Sequence, residues 1–195
     1  QQWKTSHTIT VKNDIANSVH VCEAAKKQGV EIIIFRLSNS TLSIKELVDA
    51  LEEIDLTFYV IFEFIPPVEI LIKLKLKNWL FLFDPITQLA QTGNWLLNQA
   101  ADLEAWSSLV NLGKSTSYIY IDNRVHQNAG ATIPQQLSYA LSQSVDYLSR
   151  INSSSEVVEV VIHLALGSNY FFEIAKIQAL KTVLSAVLAV YDFKI

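Results

Sequence analysis

The strongest constraint on this chain is an alternation. Apolar runs at 8–11, 32–37, 58–64, 79–83, 118–121 and 157–166, most of them continuous rather than alternating, are separated by stretches with helical signals. A strand reads as a continuous apolar run when both of its faces are buried, which is the condition of a parallel sheet. Ser43-Ile44-Lys45-Glu46 has the form of a capping box, in which hydroxyl and carboxylate satisfy orphan backbone N–H groups. Ile44, Leu47, Val48 and Leu51 then fall on one helix face. Thr132-Ile133-Pro134-Gln135 repeats the logic, with Pro134 in the first turn, where its missing N–H costs nothing. Leu137, Ala140, Leu141, Ser144, Val145 and Leu148 form the stripe expected to be buried behind it. Asp14 and Ser168 are candidate N-caps and Gly29 a candidate C-cap, while Pro66-Pro67 opens a short helix or irregular turn.

Successive β/α units fit either a doubly wound sheet or a (β/α) barrel. A full eight-unit barrel takes about 250 residues, so about six units read as the first three quarters of one. Such a piece leaves an unpaired sheet edge. The helix expected over 168–190 is apolar nearly all round in its final turns, as for a helix covered by something else. The chain of 195 residues opens on Gln1 and contains no Met, and reads as a piece of something longer.

Composition narrows the classes of function. Half of the residues are hydrophobic and 17% are charged, against about a quarter charged in ordinary soluble domains. That supplies ample apolar surface to offset chain entropy, and excludes intrinsic disorder. A membrane span is not expected, because the apolar stretch at 182–191 is about half the length required. Lys176 and Lys181 also lie just before it. With 15 basic against 19 acidic residues the net charge is -4, and no basic run exceeds Lys26-Lys27. A nucleic-acid partner needs a clustered positive face, so none is expected. The single Cys22 cannot form an internal disulfide, and no Cys/His cluster has metal-ligand spacing. A reducing, cytoplasmic location is the expectation. Asn39-Ser40-Thr41 and Asn152-Ser153-Ser154 match the glycosylation pattern, which means little without a signal peptide.

Gly113-Lys114-Ser115-Thr116 suggests a phosphate loop, but Ser108 stands where that loop needs a glycine, and a strand follows instead of a helix. It reads as a solvated turn. His7, His20, His126 and His163 are scattered, and His163, inside an apolar strand, reads as a hydrogen-bonded core histidine. Asp122, Arg124, His126, Gln127 and Asn128 form a polar cluster after the 118–121 strand, at the strand end where barrel enzymes place their chemistry. This is the best site candidate, with a capping, loop-ordering role as its rival.

The segment 124–132, Arg-Val-His-Gln-Asn-Ala-Gly-Ala-Thr, continues through Gln136-Leu137, Tyr139-Ala140-Leu141 and Tyr147-Leu148. It resembles the barrel domain of the adenosylcobalamin-dependent methylmalonyl-CoA mutases. A second block at 167–180, Gly-Ser-Asn-Tyr-Phe-Phe-Glu-Ile-Ala-Lys-Ile-Gln-Ala-Leu, resembles the same family's Asn-Phe-Phe-x-Glu-x-Ala-Lys segment. The resemblance implies a (β/α)8 TIM-type barrel, incomplete over 1–195, and no cobalamin-binding domain in this chain. It also implies that the family's catalytic positions have been lost. The catalytic His position is Val125 and the preceding Tyr position is Arg124, while His126 stands one residue away, in a segment read as extended, where one step points a side chain the other way. A valine cannot donate a hydrogen bond. The family's substrate-gripping Arg and Ser positions are Glu159 and Val161, and a carboxylate facing an anionic CoA ester repels it. Asp84-Pro85-Ile86-Thr87-Gln88-Leu89-Ala90 replaces the catalytic Thr-x-Gln-Asn-Asp stretch, and Gln178 replaces a family Arg. No His has an Asp two residues before it, as a cobalt-ligating His of the family does.

The expectation is therefore a small, non-catalytic subunit that forms a heterodimer with a large catalytic mutase subunit. The partner binds the adenosylcobalamin, and no cofactor or metal is expected in this chain. Arg124, His126 and Gln127 are the expected remnant of a cavity. Two alternatives stand beside it: an active relative with another acyl-CoA substrate, using Arg124 and His126, and an unrelated α/β binding module.

Overall fold

The computed structural model describes residues 3–11, 14–38, 41–74, 78–112, 116–151 and 157–191. Asn39-Ser40, Asn152-Ser153-Ser154 and Gly113-Lys114-Ser115 lie outside them. The chain is α/β and divides into two compact units, Gln1–Phe83 and Asp84–Ile195.

The first unit alternates β1 (Ser6–Thr10), α1 (Ile15–Lys27), β2 (Ile32–Leu37), α2 (Ile44–Leu51), β3 (Thr57–Phe62), α3 (Val68–Leu71) and β4 (Trp79–Phe83). Its strands form one parallel sheet in the consecutive order β1-β2-β3-β4, with Ser6 opposite Ile32, Ile32 opposite Thr57 and Phe58 opposite Trp79. Ile33, Ile34, Phe35 and Leu37 of β2 are all buried, so both faces of that strand are covered, as its largely apolar run predicts. Phe58 stacks on Trp79 across the strands at 4.5 Å. β1 departs from the expectation: it is exposed along most of its length, as an edge strand paired on one side.

Local signals act as read. Asp14 caps α1 by accepting from Asn17 N at 2.9 Å. Ser43 caps α2 by accepting from Glu46 N at 3.3 Å. Ile44, Leu47, Val48 and Leu51 are the buried residues of α2. Gly29 follows the α1 cap, Gln28, with φ +83°, a conformation that favours glycine. Cys22 is buried, and burial pushes its thiol up to about 11.

The second unit comprises α4 (Pro85–Thr92), α5 (Gln99–Val110), β5 (Thr116–Asp122), α6 (Arg124–Asn128), α7 (Ile133–Leu148), β6 (Val157–His163) and α8 (Tyr170–Val190). β5 and β6 form a two-stranded parallel sheet, with Tyr118 opposite Glu159 and Asp122 opposite His163. Strand pairing among the described residues thus gives a four-stranded and a two-stranded parallel sheet, and goes no further toward the expected barrel. Three details differ from the sequence reading. The α8 cap is Asn169, which accepts from Phe172 N at 3.3 Å; Ser168 precedes it. Residues 124–128 are a helical turn, not an extended segment, so neighbouring side chains diverge by about 100° and not by the half-turn of a strand. The buried face of α7 is Gln136, Ala140, Gln143, Ser144, Tyr147 and Leu148, while Val145 is 39% exposed. The helix is rotated away from the purely apolar stripe because the polar side chains of Gln143 and Tyr147 anchor its inner face.

No helix among the described residues is long and apolar enough to cross a membrane.

Candidate functional site

The polar residues that follow β4, β5 and β6 in the second unit group into three clusters. The first is built on Asp84, the N-cap of α4. Its Oδ1 accepts from Thr87 N at 2.9 Å, Gln143 Nε2 at 2.6 Å and Tyr147 Oη at 2.7 Å. Its Oδ2 accepts from Asp122 N at 2.8 Å. The carboxylate therefore ties the start of α4 to the end of β5 and the inner face of α7. Burial pushes its pKa up, and the converging donors oppose that rise. Tyr147, buried and close to this carboxylate, has its own pKa raised well above the ordinary value. Its ring stacks on buried Trp106 of α5 at 4.4 Å.

The second cluster lies at the ends of β5 and β6. Arg124 grips Asp122 with two guanidinium nitrogens, Nε donating to Oδ1 at 2.7 Å and Nη2 to Oδ2. Burial alone would raise the Asp122 carboxyl, but the hydrogen bonds and charge of Arg124 outweigh it and hold it below the usual range. The same hydrogen bonds raise Arg124 further. Beside them, Tyr120 Oη and His163 Nδ1 are 3.0 Å apart, so His163 is the hydrogen-bonded histidine its sequence position predicts.

The third cluster centres on Lys176. Its ammonium is fully buried and donates to Gln127 Oε1 at 2.9 Å, Gln136 Oε1 at 3.2 Å and Ala165 O at 2.8 Å, and it pairs with Glu173. Four oxygens surround three N–H donors, so the buried charge is fully met. Glu173 approaches the chain so closely that a Cβ on Gly167 would lie 3.0 Å from its Oε1, and glycine keeps that space open.

These clusters place each residue singled out in the sequence. Arg124 faces Asp122, His126 stacks on Tyr139 at 4.2 Å, and Gln127 accepts from Lys176. Although nearly adjacent in sequence, the three turn to different partners. Val125 is half-buried in α6, Glu159 is exposed on β6, and Val161 is half-buried. No group of three or more His, Cys, Asp or Glu side chains fit to hold a metal occurs among the described residues. Asp84, Gln136, Gln143 and Tyr147 escaped the sequence reading as organising residues. The available signal was Asp84-Pro85, a cap followed by a first-turn proline. What the clusters can do chemically is limited by their own bonds: the carboxylates, the guanidinium and the ammonium are each engaged by neighbours in the fold.

No protein-family model matches the chain, and no curated protein matches it significantly.

Proposed function

We propose that this chain is the small, non-catalytic subunit of an adenosylcobalamin-dependent methylmalonyl-CoA mutase. In this reading it is part of a (β/α)8 barrel in the cytoplasm. It stabilises a homologous large subunit that interconverts methylmalonyl-CoA and succinyl-CoA. The observation that carries the reading is the meeting of its two resembling blocks at Lys176. Gln127 and Gln136 come from the first block, and Glu173 and Lys176 from the second. A coincidental likeness has no reason to bring together the residues that carry it. The consecutive strand order β1-β2-β3-β4 also favours a barrel, because a classic doubly wound sheet reverses its order at a switch point.

The non-catalytic part rests on chemistry. Val125 offers no hydrogen bond where a His is needed, and Glu159 puts a carboxylate where an Arg is needed. Arg124 and His126, which an active relative would use, are turned to Asp122 and Tyr139. The histidines do not fit a cobalamin ligand either. His163 is bonded to Tyr120, and none of the four has an Asp two residues before it. The cofactor therefore belongs to the partner. A subunit that binds only the folded partner raises its stability by mass action.

The test is co-expression with a mutase large subunit, followed by size-exclusion chromatography and an assay of each fraction. A stoichiometric complex is expected, with turnover by the complex and none by this chain given adenosylcobalamin. Separate elution, or turnover by this chain alone, overturns the proposal.

A further inference from the structure

One feature of the second unit has no part in the subunit reading. A groove of about 460 Å³ runs beside α4, with Ile86 and Leu89 among its apolar lining and Trp95, His126 and Tyr139 among its aromatic residues. We propose that this groove binds an uncharged planar aromatic compound, with a ring face against the aromatic side chains and a hydrogen-bonding edge toward His126.

Three observations support the assignment. The volume lies within the roughly 300–1,000 Å³ of small-molecule pockets, and apolar and aromatic side chains share the lining with polar ones. The aromatic residues are braced from within the fold, which reduces the ordering cost of binding. The loop bearing Trp95 is fastened by the carboxylate of fully buried Asp102, which accepts from Leu96 N at 2.7 Å and Leu97 N at 3.1 Å. His126 lies 17° from parallel with Tyr139, which is 49% exposed and so still offers much of its ring.

The third observation is electrostatic. The groove's charged pair, Asp146 and Arg150, neutralises itself through two hydrogen bonds of 2.9 and 3.0 Å. Burial lowers the pKa of His126, which favours the neutral imidazole. An ionic ligand would find no free counter-charge in that lining, whereas a neutral ring loses little on leaving water. The His126 ring nitrogens make no hydrogen bond among the described residues. A neutral imidazole offers one donor and one acceptor to a ligand edge.

Indole, neutral and planar with one N–H donor, is a suitable probe, with cyclohexanol and indoleacetate as the non-aromatic and anionic controls. Proton–nitrogen correlation spectra of the chain should show saturable shifts of the Trp95 indole N–H with indole. Tyr139→Ala and His126→Ala, at residues that are not fully buried, should each weaken binding by about tenfold. Both controls should bind at least about tenfold more weakly than indole. The inference is overturned if the shifts grow linearly and scatter over the surface, if cyclohexanol matches indole, or if neither variant changes the affinity while keeping the native spectrum.

Discussion

Replacing Asp84 with alanine should destabilise the chain by about 3–5 kcal/mol, from the donors it would orphan. Four donors converge on this carboxylate: Thr87 N, Gln143 Nε2, Tyr147 Oη and Asp122 N. A buried donor left without an acceptor costs about 1–3 kcal/mol, and the helix cap alone is worth about 0.5–2 kcal/mol. Two effects offset the sum. The variant no longer desolvates an anion, and water entering the vacated space satisfies some of the donors. If about half the donors are recovered, the stated range remains, a large share of the roughly 5–15 kcal/mol of a typical domain. Asp84→Asn separates charge from hydrogen bonding. Its amide oxygen can face the three donors on Oδ1, but its NH₂ then meets Asp122 N–H donor to donor. It should therefore lose about 2 kcal/mol even though it removes the buried charge. Urea unfolding followed by near-ultraviolet circular dichroism reads this directly, because Trp106 stacks on the Tyr147 ring whose hydroxyl binds Asp84. If both variants unfold within about 1 kcal/mol of the parent, the hub is not an organising element and the argument fails.

Lys176→Met should cost about 3–5 kcal/mol by leaving Glu173 buried without its cation. The double variant with Glu173→Leu should recover much of that loss in the same urea assay, because an apolar pair can replace a buried ionic one. Gly167→Ala should cost about 1 kcal/mol by crowding Glu173 Oε1, and little in a Glu173→Ala background, which a double-mutant cycle would measure. The stability contributed by the depressed Asp122 carboxyl is present above its ordinary pKa and fades as pH falls through the lower folded value. Asp84, raised by burial, has the opposite slope: its contribution improves as pH falls through its folded pKa. Arg124→Gln should remove the Asp122 part alone. The difference in unfolding free energy between parent and Arg124→Gln should then shrink between pH 7 and pH 3, as titration through acid would show.

Elements were legible in this sequence wherever a local signal decided them. The apolar runs locate all six strands of the described structure, and the α2 stripe names that helix's buried residues correctly. β1 misled because an apolar run reports β-structure without saying whether a neighbour covers it on each side. The 124–128 turn misled because its helical form is fixed just beyond a strand. Asn123 there has an αR backbone, and Arg124 N donates to Asp122 Oδ1 at 3.3 Å. The inner face of α7 was illegible for a different reason. Gln143 and Tyr147 look like solvent-facing residues until Asp84 is known to be buried, and these partners lie 59 and 63 positions apart. Periodicity carries no information at that range.

The same limit explains why the candidate site resisted reading while the secondary-structure elements did not. In a helix such as α8, apolar nearly all round, hydrophobicity cannot choose which side turns inward. Phe171 and Phe172 are 78% and 62% exposed, while charged Lys176 is fully buried. Four oxygens make the choice, because an ammonium can leave water only where acceptors wait for it. The Asp84 hub does the same for α7. In this chain, polar side chains specify the rotation of helices that apolar patterning leaves undetermined.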